Sequence, residues 1–277
     1  MGATNVPITT LGSGLAMPYL GLGTWTMTDA DAADTIPVAA GLGYRMIDTA
    51  ALYQNERGVG QGVRGSGTPR EEFFIVSKVR GRDHGYDRTL KAFDETLDRL
   101  DMDYLDLYLI HWPMPGRDLY VETWKALVRI LRDGRTKAIG VSNFTPAYID
   151  RIVAETGVGP AVNQIQLNPR VTQRASRAYA AEHGIALQTW RPLGQGDLLA
   201  ERVVQDSAQR HGKTPAQIVL RWHLEHGLSP LPKSVRPDRL AANIDVFDFS
   251  LTPAEIDAIS GLDGTEIADD PATTEID

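Results

Sequence analysis

Short β-branched or leucine-rich runs alternate along this chain with longer stretches whose apolar residues recur at helical spacing. The strand-like runs centre on Leu22, Met46, Ile75, Leu107, Ile139, Val162, Leu187 and Leu231. Strands separated by helical stretches are the mark of repeated βαβ units and a parallel sheet. Ahead of them, Pro7 to Leu20 reads as a β-hairpin. Several helix starts carry Thr-Pro followed by an acidic or amide residue, as at Thr68-Pro-Arg-Glu71, Thr214-Pro-Ala-Gln217 and Thr252-Pro-Ala-Glu255. Each combines an N-cap, proline at the first helical position and a capping box, the one at Thr68 being readable as a single turn. Eight such units predict an α/β fold, a single (β/α)8 TIM barrel with an N-terminal hairpin and extra helices. No Ser/Gly-rich linker or repeat divides residues 1–277, so one domain is expected, with an acidic tail from Asp269 to Asp277 outside the barrel.

Composition agrees with that size of fold: 277 residues at 42% apolar content can bury one barrel-sized core. With 36 acidic against 28 basic residues the formal charge is −8. Such a chain is a poor electrostatic match for nucleic acid or an anionic membrane. The absence of cysteine excludes disulfides, a thiolate nucleophile and Cys-based metal sites. The start, Met1-Gly-Ala-Thr-Asn-Val-Pro7, has no basic stretch followed by an apolar one, and Val6 does not suit myristoylation. No apolar run is long enough to span a bilayer. These features predict a cytoplasmic monomer acting on a small molecule.

Candidate chemistry sits where strands end. Asp48 follows Arg45-Met-Ile, with Tyr53 just beyond, Lys78 closes Phe73-Phe-Ile-Val-Ser, and His111 closes Tyr104-Leu-Asp-Leu-Tyr-Leu-Ile. In a (β/α)8 barrel those ends converge on the catalytic face, where a carboxylate, phenol, ammonium and imidazole make a proton-donating device. Later strands finish in Ser142-Asn143, Asn163-Gln164, Trp190 and Lys233-Ser234. Amides suit a carboxamide, an indole face suits a flat heteroaromatic ring, and Lys233, Ser234, Arg236 and Arg239 suit a phosphate. Together they outline a nicotinamide dinucleotide.

Taken singly, each residue has a plainer role: Asp48 paired with Arg45, Lys78 solvated, Tyr53 a loop aromatic, His111 packed before Trp112-Pro113, Trp190 a core plug. Their joint placement at matched strand ends favours catalysis. Other motifs fail. Gly21-Leu-Gly23 has Thr26 where a Rossmann fingerprint needs its third glycine, and Gly212-Lys213-Thr214 has Ser207 where a P-loop begins, so the latter reads as a helix junction. His223 and His226 lack a third ligand, and no metal site is expected.

Three segments resemble the aldo-keto reductase family: Gly43-Tyr-Arg-Met-Ile-Asp48-Thr-Ala-Ala-Leu-Tyr53-Gln-Asn-Glu56, Leu105-Asp-Leu-Tyr-Leu-Ile-His111-Trp-Pro113, and Leu231-Pro-Lys-Ser-Val-Arg-Pro-Asp-Arg239-Leu-Ala-Ala-Asn243. Val162-Asn-Gln-Ile165, Trp190-Arg-Pro-Leu-Gly-Gln-Gly196 and Asn243-Ile-Asp-Val-Phe-Asp-Phe249 are similar to the bacterial branch that includes diketogluconate reductases. The resemblance implies NADPH-dependent reduction of aldehydes or ketones, with Tyr53 as acid, Lys78 favouring the phenolate, Asp48 holding Lys78, and His111 at the substrate oxygen. It implies NADPH or NADP+ held by Gly23, Thr24, Ser142, Asn143, Gln164, Trp190, Pro192, Leu193, Gln195, Gly196, Lys233, Ser234, Val235, Arg236, Arg239 and Asn243. Trp25 and Trp112 would line the substrate pocket. Four positions depart from the family pattern: Arg80 for a pocket tryptophan, Ala242 for a glutamate with Arg236 compensating at the 2′-phosphate, and Gln166 and Asn168 in a segment expected to pack the rim. A cofactor-binding regulatory module and a phosphate-binding isomerase or lyase barrel remain as alternatives of other classes.

Overall fold

The computed structural model describes residues 4–12 and 14–274. A hairpin of β1 (Ile8–Thr10) and β2 (Ala16–Pro18) precedes eight parallel strands. These are β3 (Leu22–Gly23), β4 (Met46–Asp48), β5 (Phe74–Val79), β6 (Leu105–Ile110), β7 (Thr136–Ser142), β8 (Val162–Gln166), β9 (Ala186–Trp190) and β10 (Ser229–Pro230). Each pairs with its sequence neighbour, in the order β3 to β10. The helices in chain order are α1 (Asp29–Leu42), α2 (Glu56–Gly65), α3 (Tyr86–Leu100), α4 (Tyr120–Arg132), α5 (Pro146–Thr156), α6 (Arg174–Glu182), α7 (Arg202–His211), α8 (Pro215–Glu225), α9 (Pro237–Ile244) and α10 (Pro253–Ser260). Two helices, α7 and α8, lie between β9 and β10, and two more follow β10, which supplies the extra helices expected.

The sheet curls into a barrel whose join is chemically one-sided. The Gly21 amide donates to the Pro230 carbonyl at 3.2 Å and the Gly23 amide to the Pro232 carbonyl at 3.1 Å. Proline has no N–H to return, so only β3 supplies donors here. Leu231, between the two prolines, turns its N–H the other way, to Thr189 on β9. The last strand therefore centres on Ser229–Pro230, slightly before the Leu231 expected, because prolines at 230 and 232 interrupt the ladder. Glycine is required on the facing strand: a Cβ at Gly23 would sit 2.9 Å from the Leu231 carbonyl oxygen. The Gly21-Leu-Gly23 motif thus serves close strand approach.

Two apolar clusters flank the sheet. Ile47, Ile75, Tyr108, Ile110, Ile139 and Val141 pack outward against helix residues such as Phe93, Trp124 and Trp222. Met46, Phe74, Val76, Leu107, Leu109 and Val162 fill the barrel, and Leu11 and Met17 of the hairpin join them from below. Strand side chains alternate between faces, so Asp48 is in phase with Met46, Lys78 with Val76, and His111 with Leu109. The interior is apolar at its base and polar at its upper rim.

Local helix signals follow the sequence. Thr28, Thr214 and Thr252 each form a full capping box, with Asp31, Gln217 and Glu255. Thr68-Pro leads only into the single 3-10 turn Arg70–Glu72. Gly212, left-handed at φ 61°, ends α7, and Thr214 opens α8, making that segment a helix junction. No helix among the described residues is long and apolar enough to cross a membrane.

Candidate active site

Lys78 lies at the base of the site with no solvent exposure, and all three of its ammonium hydrogens have partners. It donates to Asp48 Oδ2 at 2.8 Å, to the Thr49 carbonyl at 2.9 Å and to the Tyr53 hydroxyl at 3.2 Å. Tyr53 ends the 3-10 turn Ala51–Tyr53 just after β4, which brings its phenol over the end of β5. The His111 ring stands 5.5 Å from the Tyr53 ring, centroid to centroid, edge to face. Trp25, half exposed at the mouth, meets the other side of Tyr53 at 4.9 Å.

Electrostatics at this cluster are set first by burial. Burial raises the Tyr53 pKa above its ordinary value; Lys78 pulls it down and Asp48 pushes it up, and the net shift is upward. From sequence, an ammonium at Lys78 is expected to favour the phenolate left behind, and its pull on Tyr53 has that direction. In the structure its pull offsets only part of the desolvation, because the phenol is screened from water on several sides. Burial also opposes the Lys78 charge, but Asp48 and Tyr53 outweigh it and the ammonium titrates above its usual range. Burial, then the neighbouring charges of Lys78 and His84, hold His111 well below the usual histidine range. Tyr53 is therefore a protonated acid, Lys78 a cation and His111 a neutral imidazole near pH 7.

Above this cluster opens a cleft of about 410 Å³ at the C-terminal ends of the strands. It is lined by Gly23, Trp25, Asp48, Tyr53, His111, Trp112, Ser142, Asn143, Gln164, Trp190, Pro192, Leu193, Gln195, Gly196, Lys233 and Arg239. All of these are positions that the sequence singles out. Trp112 and Trp190 meet edge to face at 6.2 Å, and the Trp190 indole N–H donates to Asn143 Oδ1 at 2.8 Å. Asn143 is left-handed at φ 61°, and its amide N–H groups reach the His111 carbonyl and Ser142 Oγ, both at 3.1 Å. Ser142 Oγ donates to the Gln164 carbonyl at 2.8 Å. The Gln195–Gly196 backbone is left-handed at both residues, which turns the loop after β9 along the cleft. Lys233 and Arg239 are exposed at its edge, and among the described residues neither side chain makes a hydrogen bond or ion pair.

Five residues expected at the cofactor do not line the cleft. Thr24 is fully buried, its hydroxyl on the Asp48 carbonyl at 2.9 Å. Ser234 is buried and accepts from the Arg236 amide, and Asn243 is buried on α9. Val235 is exposed away from the cleft, and Arg236 pairs with Asp238 at 2.7 Å. Arg80 is likewise engaged outside the cleft, with Asp83 at 2.7 Å, because the two sit three residues apart across a single turn.

The cleft also contains Leu52, Arg191, Leu199, Leu231, Pro232 and Asp269, which sequence reasoning did not assign. Asp269 belongs to the acidic tail. Its N–H donates to Gln166 Oε1 at 2.8 Å and its carboxylate lies 3.4 Å from Arg191, while Gln166 Nε2 donates to Glu266 at 3.0 Å. The start of the tail thus docks on the rim through Gln166; residues 275–277 lie outside the described part. Asn168 accepts from the Arg170 amide in a rim turn closed by backbone bonds to Val171. His223 is a packed histidine, bonded to Thr189 Oγ1 and the Pro192 carbonyl, with burial holding its pKa down at about 3.

A curled parallel sheet with Tyr53 bonded to a buried Lys78–Asp48 pair at its C-terminal rim defines an oxidoreductase of the barrel class, and residues 19–263 match the model of the aldo/keto reductase family. The chain belongs to that family. It is 46% identical to glyoxal reductase of Bacillus subtilis over 257 residues, 92% of each chain. It is 44% identical to methylglyoxal reductase DkgA of Escherichia coli over 270 residues, covering 96% of this chain and 98% of that one. DkgA represents the diketogluconate-reductase-like branch that the sequence resembles. Among solved structures, a Gox0644 mutant in complex with NADPH superposes with a TM-score of 0.94 at 44% identity, covering 99% of this chain and 100% of the other.

Proposed function

We propose that this protein reduces small aldehydes and ketones, dicarbonyls such as glyoxal and methylglyoxal among them, to alcohols with NADPH, and that Tyr53 is the proton donor. The observation that carries the reading is the Tyr53 hydroxyl held 3.2 Å from a buried ammonium whose other bonds go to Asp48 and Thr49.

The residues present suit the cofactor. Among the described residues, the Gln164 amide oxygen has no hydrogen bond and Lys233 and Arg239, at the edge of the cleft, have no ion pair, while Trp190 lines the same cleft. Gln164, Asn143 and Ser142 would hold the carboxamide, and Arg239 and Lys233 the phosphates. When bound, NADPH supplies hydride from nicotinamide C4 to the carbonyl carbon.

Tyr53 gives its hydroxyl proton to the carbonyl oxygen as the C=O π bond becomes a C–H and an O–H bond. The phenolate left behind lies against the Lys78 ammonium and regains its proton from water. Neutral His111 donates a hydrogen bond to the same oxygen and fixes its position. Trp25 and Trp112 wall the pocket and exclude water, which strengthens these interactions. General acid catalysis of this type contributes roughly 10²–10⁴ in rate.

An assay of NADPH oxidation across aldehydes, dicarbonyls and keto-sugars tests the reading. Turnover of short dicarbonyls is expected. Tight NADPH binding without turnover of any carbonyl would point instead to a regulatory module.

A further inference from the structure

One buried polar group on the barrel axis has no part in the chemistry above. Gln188, on β9, has no solvent exposure and lies one layer beneath the cleft. Its Oε1 accepts from Gln164 Nε2 at 3.0 Å. Its Nε2 faces two thioethers, Met46 Sδ at 3.2 Å and Met17 Sδ at 3.4 Å. Gln164 in turn spans the lumen and donates to Asp48 Oδ1 at 2.8 Å.

The orientation of both amides follows from their neighbours. A thioether sulfur and a carboxylate can only accept, so an NH₂ must face each end of the chain. Gln188 therefore turns its oxygen toward Gln164, and Gln164 commits both amide hydrogens, one to Asp48 and one to Gln188. What remains is Gln164 Oε1, an acceptor with no hydrogen bond among the described residues, in a side chain that lines the cleft.

We propose that Gln188 is a positioning residue: acting through Gln164, it fixes a bare amide oxygen at the cleft floor that selects for the NH₂ of the nicotinamide carboxamide. The proposal rests on the reading that this cleft binds NADPH. Met17 lies in the β1–β2 hairpin, so the plug at the barrel base holds the far end of the chain. Without the Gln188 acceptor, one Gln164 N–H loses its partner and the side chain is free to rotate away from the cleft floor.

The test compares NADP+ with its 3-acetylpyridine analogue, in which a methyl group replaces the carboxamide NH₂, binding being read from quenching of protein fluorescence. Gln188→Met keeps the side-chain length and removes the acceptor. It is expected to weaken NADP+ by about fivefold to tenfold, the worth of one hydrogen bond, and to leave the analogue within twofold. Gln188→Glu, protonated in this buried setting, keeps an acceptor oxygen for Gln164 and gives up only one of the two donors to the Met17 and Met46 thioethers, so it should retain the parent affinity for NADP+. Equal weakening of both nucleotides by Gln188→Met, or no weakening of either, overturns the proposal while leaving the NADPH reading intact. If Gln188→Met does not fold, loss of NADP+ affinity in Gln188→Glu overturns it in the same way. Failure of the parent protein to bind either nucleotide overturns both.

Discussion

The Tyr53 hydroxyl shares its nearest cation with Asp48: Lys78 Nζ is 3.2 Å from the phenol and 2.8 Å from the carboxylate, with no water-accessible surface of its own. An acid so placed keeps its proton at neutral pH yet has a fixed positive charge beside it when the proton leaves. Tyr53→Phe removes the proton and little else. It should lower kcat by about 10²–10⁴ and leave NADPH binding within twofold. Steady-state kinetics and cofactor titration on one preparation check it, and a retained kcat would refute the assignment.

The same ion pair has a structural cost when broken. Lys78→Met leaves the Asp48 carboxylate, buried at the floor of the cleft, without its cation, and removal of one partner from a buried pair typically costs about 3–5 kcal/mol. Chemical denaturation should show a loss of that order. Adding Asp48→Asn should recover part of it, since no charge is then left unpaired. A double variant less stable than Lys78→Met would contradict this account.

His111 and His223 both titrate below the usual histidine range, His223 down at about 3. A histidine with a depressed folded pKa stabilises the native state above its unfolded pKa, about 6.5, and that contribution is lost as pH falls toward the folded value. Stability should therefore decline from about pH 6.5 downward. In an NMR titration the His111 and His223 rings should stay neutral at pH 5.5; a His111 midpoint near 6.5 would overturn the proposal that it acts as a neutral hydrogen-bond donor.

Arg239 and Arg236 stand three residues apart, but Arg239 lines the cleft while Arg236 is tied to Asp238. Arg239→Ala should raise the KM for NADPH by about tenfold, consistent with losing a charge-assisted hydrogen bond, and that for NADH far less. Arg236→Ala should have the smaller effect. Equal effects of Arg239→Ala on both cofactors would dismiss the proposal that Arg239 contacts the 2′-phosphate.

At the barrel join, Gly23→Ala places a methyl 2.9 Å from the Leu231 carbonyl oxygen. Overpacking of that kind costs about 1–3 kcal/mol. A drop in Tm should result, and an unchanged Tm would mean that the join yields more easily than its geometry implies.

Much of this arrangement was legible from sequence because it depends on local order. Asp48, Lys78 and His111 fall at the ends of apolar runs in the correct alternation phase, and a parallel barrel must gather such positions on one rim. The capping boxes at Thr214 and Thr252 read directly as helix starts for the same reason. What escaped depends on contacts between remote segments. Asp269 meets Gln166 across 103 positions, and nothing in the composition of the tail marks its docking. Gln188 reads as an ordinary strand residue until Met17 and Met46 approach it. The balance at Tyr53 turned on burial, which residue types alone do not reveal. Nor does the sequence show that Arg236, expected at a phosphate, pairs with Asp238 two residues on.

The proline-bearing strand gives the molecule a natural spectroscopic gauge. Since Pro230 and Pro232 have no amide hydrogen, the closure between first and last barrel strands is stitched by hydrogens from Gly21 and Gly23. Deuterium uptake at those two amides thus reports whether the cylinder is shut, separately from the fraying of the surrounding helices.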